Sequence, residues 1–195
     1  MFKLPDDLEQ IKKVLSNFKR QKHDSEIFYE LCFCICVPQV TFLKTNEVIK
    51  RLMARNYFEC DIENELLFIL TKECRFKRKA LYLQKAKNDF KSVLELLRKD
   101  ISDIEKRNWL VKNIYGLGMK TASHFLRNQG IESLAIIDTH IIKFLECEKP
   151  KNEKDYLRLE QEFQNKASIS FLTCAQLDAF VWKTFSGVSW DNFKF

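Results

Sequence analysis

The residues best suited to chemistry lie between positions 112 and 140. Two of the chain's four glycines, Gly116 and Gly118, fall together in Ile114-Tyr115-Gly116-Leu117-Gly118-Met119-Lys120. They separate two stretches of helical periodicity. A tight reversal between helices needs positive φ or close backbone approach, and glycine supplies both. The N–H groups of such a turn and of the next helix start carry positive partial charge, which suits a phosphate. Lys112, Lys120 and Arg127 flank the turn, and no acid lies between residues 106 and 131. A G-x-G turn between helices is often purely structural; the flanking cations give this one a ligand class. Eighteen residues beyond Lys120, Asp138 ends an apolar stretch, Leu134-Ala135-Ile136-Ile137, and precedes Ile141-Ile142-Phe144-Leu145. The acid therefore stands at a helix start. It serves either as an N-cap or as a reactive carboxylate, and Lys120 either as a solvated, phosphate-facing lysine or as a nucleophile.

The elements that must position these groups read as helices almost throughout. Pro5-Asp6-Asp7 opens the first, with Leu8, Ile11, Val14, Leu15 and Phe18 at helical spacing. Asp24 or Ser25 is expected to cap the second, whose apolar run Leu31–Val37 stops at Pro38. A buried strand is the alternative for that run, but the 3.6-residue period upstream favours a helix. Further helices are expected from Thr45 or Asn46, Asp61, Ser92 and Ser102, then from Met119 to Asn128, and over about 153–167 and 171–185. Gly130 gives the hairpin's second helix a C-terminal stop.

Composition agrees with an all-α fold. The chain has 195 residues with 33 Lys+Arg, 27 Asp+Glu and a formal net charge of +6. With 46% apolar residues it is too hydrophobic for a disordered chain. Four Gly and three Pro are too few for the frequent turns of a β-sandwich. No apolar run approaches a membrane span, and the N-terminus lacks the apolar core of a secretory signal. Seven cysteines, an odd number, read as reduced thiols in a cytosolic protein. Between Lys72 and Lys91 stand eight basic residues and two acids, interleaved with Phe76, Leu81, Tyr82, Leu83 and Phe90. This reads as one amphipathic helix with a cationic face, either simply solvated or drawn to a phosphate backbone.

The run Gly116-Leu117-Gly118-Met119-Lys120-Thr121-Ala122-Ser123-His124-Phe125-Leu126-Arg127-Asn128, followed by Ala135-Ile136-Ile137-Asp138-Thr139-His140, resembles the helix-hairpin-helix DNA glycosylase superfamily. Its Ser-His-Phe-Leu-Arg-Asn portion is similar to the type 2 8-oxoguanine DNA glycosylase/AP lyases. Glu30–Ile35, Arg75–Ala80 and Leu177–Trp182 also resemble family blocks, so the likeness extends over most of the chain. The resemblance implies two helical lobes with a DNA-binding cleft between them. One lobe is expected over about 25–138, with the hairpin at 102–128, and the other over 1–24 plus 139–195. It implies that Lys120 is the Schiff-base lysine and Asp138 the catalytic aspartate, while Gly116, Gly118, Lys112 and Arg127 hold the DNA backbone.

Those two residue types suit the reaction. A base must leave the duplex stack before its glycosidic bond can be reached. Positive charge then develops on the sugar, where a carboxylate stabilises it. A neutral amine attacks the anomeric carbon, displaces the base and becomes an imine, which permits β-elimination of the 3′ phosphate. Gln39, Met119, Asp178 and Trp182 are the candidates for reading the base. Members of the group typically end in a lysine shortly after the glycine matching Gly187; here the chain continues to Phe195, so that discriminating group does not carry over.

No cofactor is expected. Only Cys147 and Cys174 follow Asp138, too few for the four-cysteine iron–sulfur cluster of endonuclease III-type relatives. The resemblance allows a monovalent cation at the hairpin carbonyls. A monomer acting on double-stranded DNA in the cytoplasm, associated with the nucleoid, is the expectation. Two other readings stay open: a glycosylase of the same fold for another base, separable with single-lesion duplexes, and a binding module that holds damaged DNA without cutting it.

Overall fold

The computed structural model describes residues 8–74 and 77–186. Among these, every regular element is a helix. They divide into two compact units, Gln21–Phe125 and the remainder, residues 8–20 with 126–186. The division falls within the hairpin's second helix, earlier than the boundary near 138 suggested by the resemblance, so 126–138 go with the C-terminal helices.

The Gln21–Phe125 unit is built around α2 (Asp24–Cys36), packed against α3 (Phe42–Ala54) and α5 (Arg78–Asn88). The run from Leu31 to Cys36 is helical and buried at every position. A helix without a single apolar stripe is stable here because this part of α2 is covered on all sides. Phe28 anchors an aromatic cluster with Tyr29, Tyr57, Phe58 and Phe90, ring centroids 5.2–5.6 Å away. The unit also holds α4 (Asn64–Leu70), α6 (Phe90–Arg98) and α7 (Asp103–Asn113), and the first part of α8 (Met119–Asn128). In the other unit, α1 (Leu8–Lys19) packs Ile11, Leu15 and Phe18 against Ala175 and Ala179 of α11 (Cys174–Ser186). There α11 also meets α9 (Thr139–Phe144) and α10 (Glu153–Ile169).

Helix starts show where local chemistry prevails. Ser102 caps α7: its hydroxyl accepts from the Glu105 N–H at 3.2 Å, and Glu105 accepts from the Ser102 N–H at 2.9 Å. Elsewhere the start shifts. The α2 cap is His23, whose N–H donates to Glu26 at 2.9 Å, leaving Asp24 and Glu26 inside the first turn beside the positive end of the helix. Helix α3 is capped by Thr41, and Thr45 is buried with its hydroxyl donating to the Thr41 carbonyl at 3.0 Å. Helices α4 and α6 begin at Asn64 and Phe90, not at Asp61 and Ser92. Pro5-Asp6-Asp7 lies outside the described residues.

The basic stretch from Lys72 to Lys91 is not one helix. Turns occupy 71–74, α5 spans only Arg78–Asn88, and α6 restarts at Phe90. Its faces are mixed as well. Lys79 is 4% exposed and Leu81 is 54% exposed. The Lys79 ammonium can lie inside because it donates to the Cys36 and Pro38 carbonyls at 2.6 and 2.7 Å, satisfying the C-terminal end of α2.

Candidate active site

The hairpin joins α7 to α8 through Ile114–Gly118. Gly116 has φ +91°, and a Cβ there would sit 2.7 Å from the Tyr82 ring. Conformation and space both demand glycine at this position. Gly118 differs. Nothing lies within 4 Å of the place its Cβ would take, so the backbone there faces open space. Leu117 between them is buried and plugs the turn into the unit. Part of the turn's donor capacity is used internally: the Leu117 N–H donates to the Ile114 carbonyl at 3.2 Å, and the Gly118 N–H to the Thr121 hydroxyl at 2.9 Å. The turn is thus braced before any ligand arrives, and its polar edge is narrower than the sequence suggests.

Lys120 is exposed in the first turn of α8, and Lys112 is exposed near the end of α7. Met119 is half-buried beside Lys120. Two side chains fix the helices that carry them. Arg107 of α7 is fully buried, and its guanidinium lies 3.4 Å from the Ser123 hydroxyl of α8. His124 meets the Phe33 ring edge-on at 6.0 Å. The Arg107 role escaped the sequence reading, because Lys106-Arg107-Asn108 looks solvated. Its spacing to buried Leu110 and Ile114, three and seven residues on, was the available signal.

Asp138 belongs to the other unit and is the N-cap of α9. Its Oδ1 accepts from the His140 and Ile141 N–H groups at 2.8 and 3.0 Å. Both cap bonds fall on Oδ1, leaving Oδ2 outside the cap. The carboxylate is half-buried and held beside the positive end of the helix. The segment leading to it, Leu134–Ile137, is buried and pinned from α10. The Ala135 N–H donates to Glu160 at 3.1 Å, the Tyr156 hydroxyl donates to the Ala135 carbonyl at 2.9 Å, and the Ile137 N–H donates to the Tyr156 oxygen at 3.3 Å. Tyr156 and Glu160 therefore position Asp138 from twenty residues away. No local pattern marks them for that task.

Two expected ligand-facing residues are corrected. Arg127 does not present itself to a DNA backbone: it is 5% exposed, its guanidinium lies 3.6 Å from Asp178 and 5.1 Å from the Phe18 ring centre. Asp178 is equally enclosed at 9% exposure and serves as partner of that buried cation. A buried charge needs an opposite one beside it, and each offsets the charge of the other. The pair is enclosed, and neither group is presented at the surface of its unit.

Of the remaining base candidates, Gln39 is exposed in the turn after Pro38 with φ +63°, and Trp182 is half-buried on α11. Lys79 braces the Gln39 turn through the Pro38 carbonyl. Burial pushes the Lys79 pKa down. The cysteines are free thiols. Cys36 is pushed up by its hydrogen bond with Cys74 and by burial, and burial raises Cys174 to about 12, so these are small core residues and not nucleophiles. The tail to Phe195, together with Arg75 and Phe76, lies outside the described residues. Among the described residues, no helix is long and apolar enough to cross a membrane.

Comparison with known proteins bears on the same elements. The family model described as 8-oxoguanine DNA glycosylase matches residues 9–171. An 8-oxoguanine DNA glycosylase/AP lyase of Fusobacterium nucleatum is 32% identical, covering 90% of this chain and 87% of its own length. One from Metallosphaera sedula is 35% identical, with 86% and 87% covered. The crystal structure of the Methanocaldococcus jannaschii 8-oxoguanine glycosylase/lyase, in complex with DNA containing 8-oxoguanine, superposes with a TM-score of 0.84 at 30% identity, covering 94% of this chain and 93% of that one. A family match over most of the chain, with the same fold in a solved relative at 30% identity, leads to one conclusion: the chain belongs to the 8-oxoguanine DNA glycosylase family.

Proposed function

We propose that this chain excises 8-oxoguanine from duplex DNA and then nicks the strand, with Lys120 as the attacking amine and Asp138 as the assisting carboxylate. The observation that carries the reading is the exposed Lys120 side chain, in the first turn of α8 and two residues from the open backbone of Gly118. A phosphate seated at that backbone brings a sugar of the same strand to the lysine. The relatives named above act as glycosylase and AP lyase, which supports both steps here.

Each step follows from ordinary carbon–nitrogen chemistry. The base is first extruded from the stack. The neutral Lys120 Nζ forms a bond to C1′ as the C1′–N9 bond breaks, and the base leaves with the electron pair and takes up a proton. The negative charge of Asp138 favours the cationic sugar formed on the way. The C1′–O4′ bond then opens, O4′ takes the electron pair and a proton, and the nitrogen lone pair closes the C1′=Nζ iminium, which acidifies C2′. Loss of a C2′ proton then breaks the C3′–O3′ bond and releases the 3′ phosphate. An amine and a carboxylate suffice, so no cofactor enters, and the chain acts as a monomer. Gln39 and Met119 are the residues proposed to touch the base. Lys112 and the two hairpin glycines are proposed to hold the backbone, and a monovalent cation at the hairpin carbonyls belongs to that same contact.

Borohydride reduction during reaction tests the proposal. On a duplex with 8-oxoguanine opposite cytosine, the wild type gives a covalent protein–DNA adduct and Lys120→Gln gives none. An undiminished adduct from Lys120→Gln overturns the assignment. A panel of single-lesion duplexes in which another base is removed faster overturns the substrate.

A further inference from the structure

The cations of α5 are not equivalent. Lys79 is buried on carbonyls, and Lys87 is tied to Asp61 at 2.9 Å and to the Cys60 carbonyl at 2.7 Å. Lys85 is exposed, and no carboxylate among the described residues pairs with it. Its ammonium lies 3.7 Å from the centre of the Tyr115 ring, the residue directly before Gly116. Tyr82, one turn before Lys85 on α5, stacks on Tyr115 with centroids 6.3 Å apart and planes 28° apart, and it also abuts Gly116. Tyr115 is itself 55% exposed.

We infer that Lys85, moored on the Tyr115 ring, is a second phosphate contact that extends the DNA-backbone interface from the hairpin onto α5. The inference rests on the proposal that the chain binds duplex DNA. The ring is already engaged by Lys85 and Tyr82, so what remains for a ligand is the outer side of the ammonium with its N–H donors. A cation over an aromatic face keeps its full charge. Pinned there, it loses less side-chain freedom on meeting a phosphate than a solvated lysine does. The glycine turn and Lys85 are held together through Tyr82 and Tyr115, so two phosphate contacts keep a fixed spacing. That spacing favours a continuous strand over a free phosphate. The rigid pairing gives Tyr82 and Tyr115 a task that is neither core packing nor base stacking.

Affinity for a lesion duplex, measured by fluorescence anisotropy across a salt series, tests this. Lys85→Gln is expected to flatten the log–log salt slope by about 0.9, the contribution of one phosphate contact. Lys154→Gln, which removes an exposed charge on α10, is expected to leave the slope unchanged. Tyr115→Leu keeps the charge but loses the mooring, and weakens binding about two- to fivefold. Tyr115→Phe keeps the ring and restores the affinity. In the Lys85→Gln background, Tyr115→Leu adds no further loss. The inference is overturned if Lys85→Gln behaves like Lys154→Gln. It is overturned equally if Tyr115→Leu keeps its effect without Lys85, because the ring then touches DNA itself. A wild type that fails to bind duplex DNA at any salt overturns the proposed function along with it, a distinct outcome.

Discussion

Helix α8 carries two cations seven residues apart, and they have opposite fates. Lys120 is exposed in the first turn, whereas Arg127 in the last turn is 5% exposed against Asp178 and Phe18. Seven residues is nearly two full turns, so both side chains leave the helix in similar directions. The helix itself does not distinguish them. The surroundings do: α1 and α11 bring Phe18 and Asp178 to the C-terminal end, while the N-terminal end follows a glycine whose Cβ position faces open space. A buried guanidinium with its carboxylate becomes framework; an exposed amine next to accessible backbone stays available for chemistry.

Exchanging the two losses gives the strongest test of that contrast. Lys120→Gln abolishes borohydride trapping yet changes stability by no more than about 0.5 kcal/mol, as for an exposed side chain. Arg127→Met strands the Asp178 carboxylate and costs about 3–5 kcal/mol, read as a lowered denaturation midpoint. Protein that stays folded should still trap DNA. Loss of trapping from Arg127→Met with full stability would return Arg127 to the DNA interface.

Asp138 combines both characters, since it caps α9 and is proposed to act on the sugar. Asparagine caps as well as aspartate, so Asp138→Asn keeps stability and duplex binding while nicking slows about 10²–10³-fold, the scale for loss of one preorganised charge interaction. Asp138→Ala loses the cap too and costs about 1 kcal/mol more. Single-turnover nicking and thermal denaturation on the same two variants separate the roles. Wild-type nicking by Asp138→Asn would leave only the capping role.

The hairpin glycines form the finest comparison. Gly116→Ala must accommodate φ +91° and a 2.7 Å contact with the Tyr82 ring, and is expected to cost about 1–3 kcal/mol. Gly118→Ala meets no protein atom, so stability stays within about 0.5 kcal/mol while duplex affinity falls, because the new methyl stands where a phosphate approaches. Equal destabilisation by both substitutions would mean that Gly118 is also needed by the fold.

Much of the framework was readable because it follows from local rules. Glycines between two periodic segments marked the reversal, an acid after an apolar run marked the start of α9, and Ser102 marked the start of α7. The helix starts that moved, at α2, α3, α4 and α6, did so because packing chose among neighbouring positions: Thr41 supplies a cap to α3, whereas Glu63 and Asp89 at the starts of α4 and α6 make no side-chain cap bond. The basic stretch failed as a single helix for a related reason: charge density records neither turns nor which lysine finds carbonyls to satisfy it inside, as Lys79 does.

The sequence by itself pointed to the helices seen among the described residues, to the glycine turn, to the amine and the acid proposed for the chemistry, and to the family. These depend on residue type and short spacing, which the chain order preserves. Only the tertiary structure decided that Arg127 and Asp178 neutralise each other, that Tyr156 and Glu160 hold the approach to Asp138, and that Lys85 rests on Tyr115. Such assignments depend on which surfaces meet. Burial and pairing are properties of a neighbourhood assembled from distant parts of the chain, so no local stretch of residues specifies them.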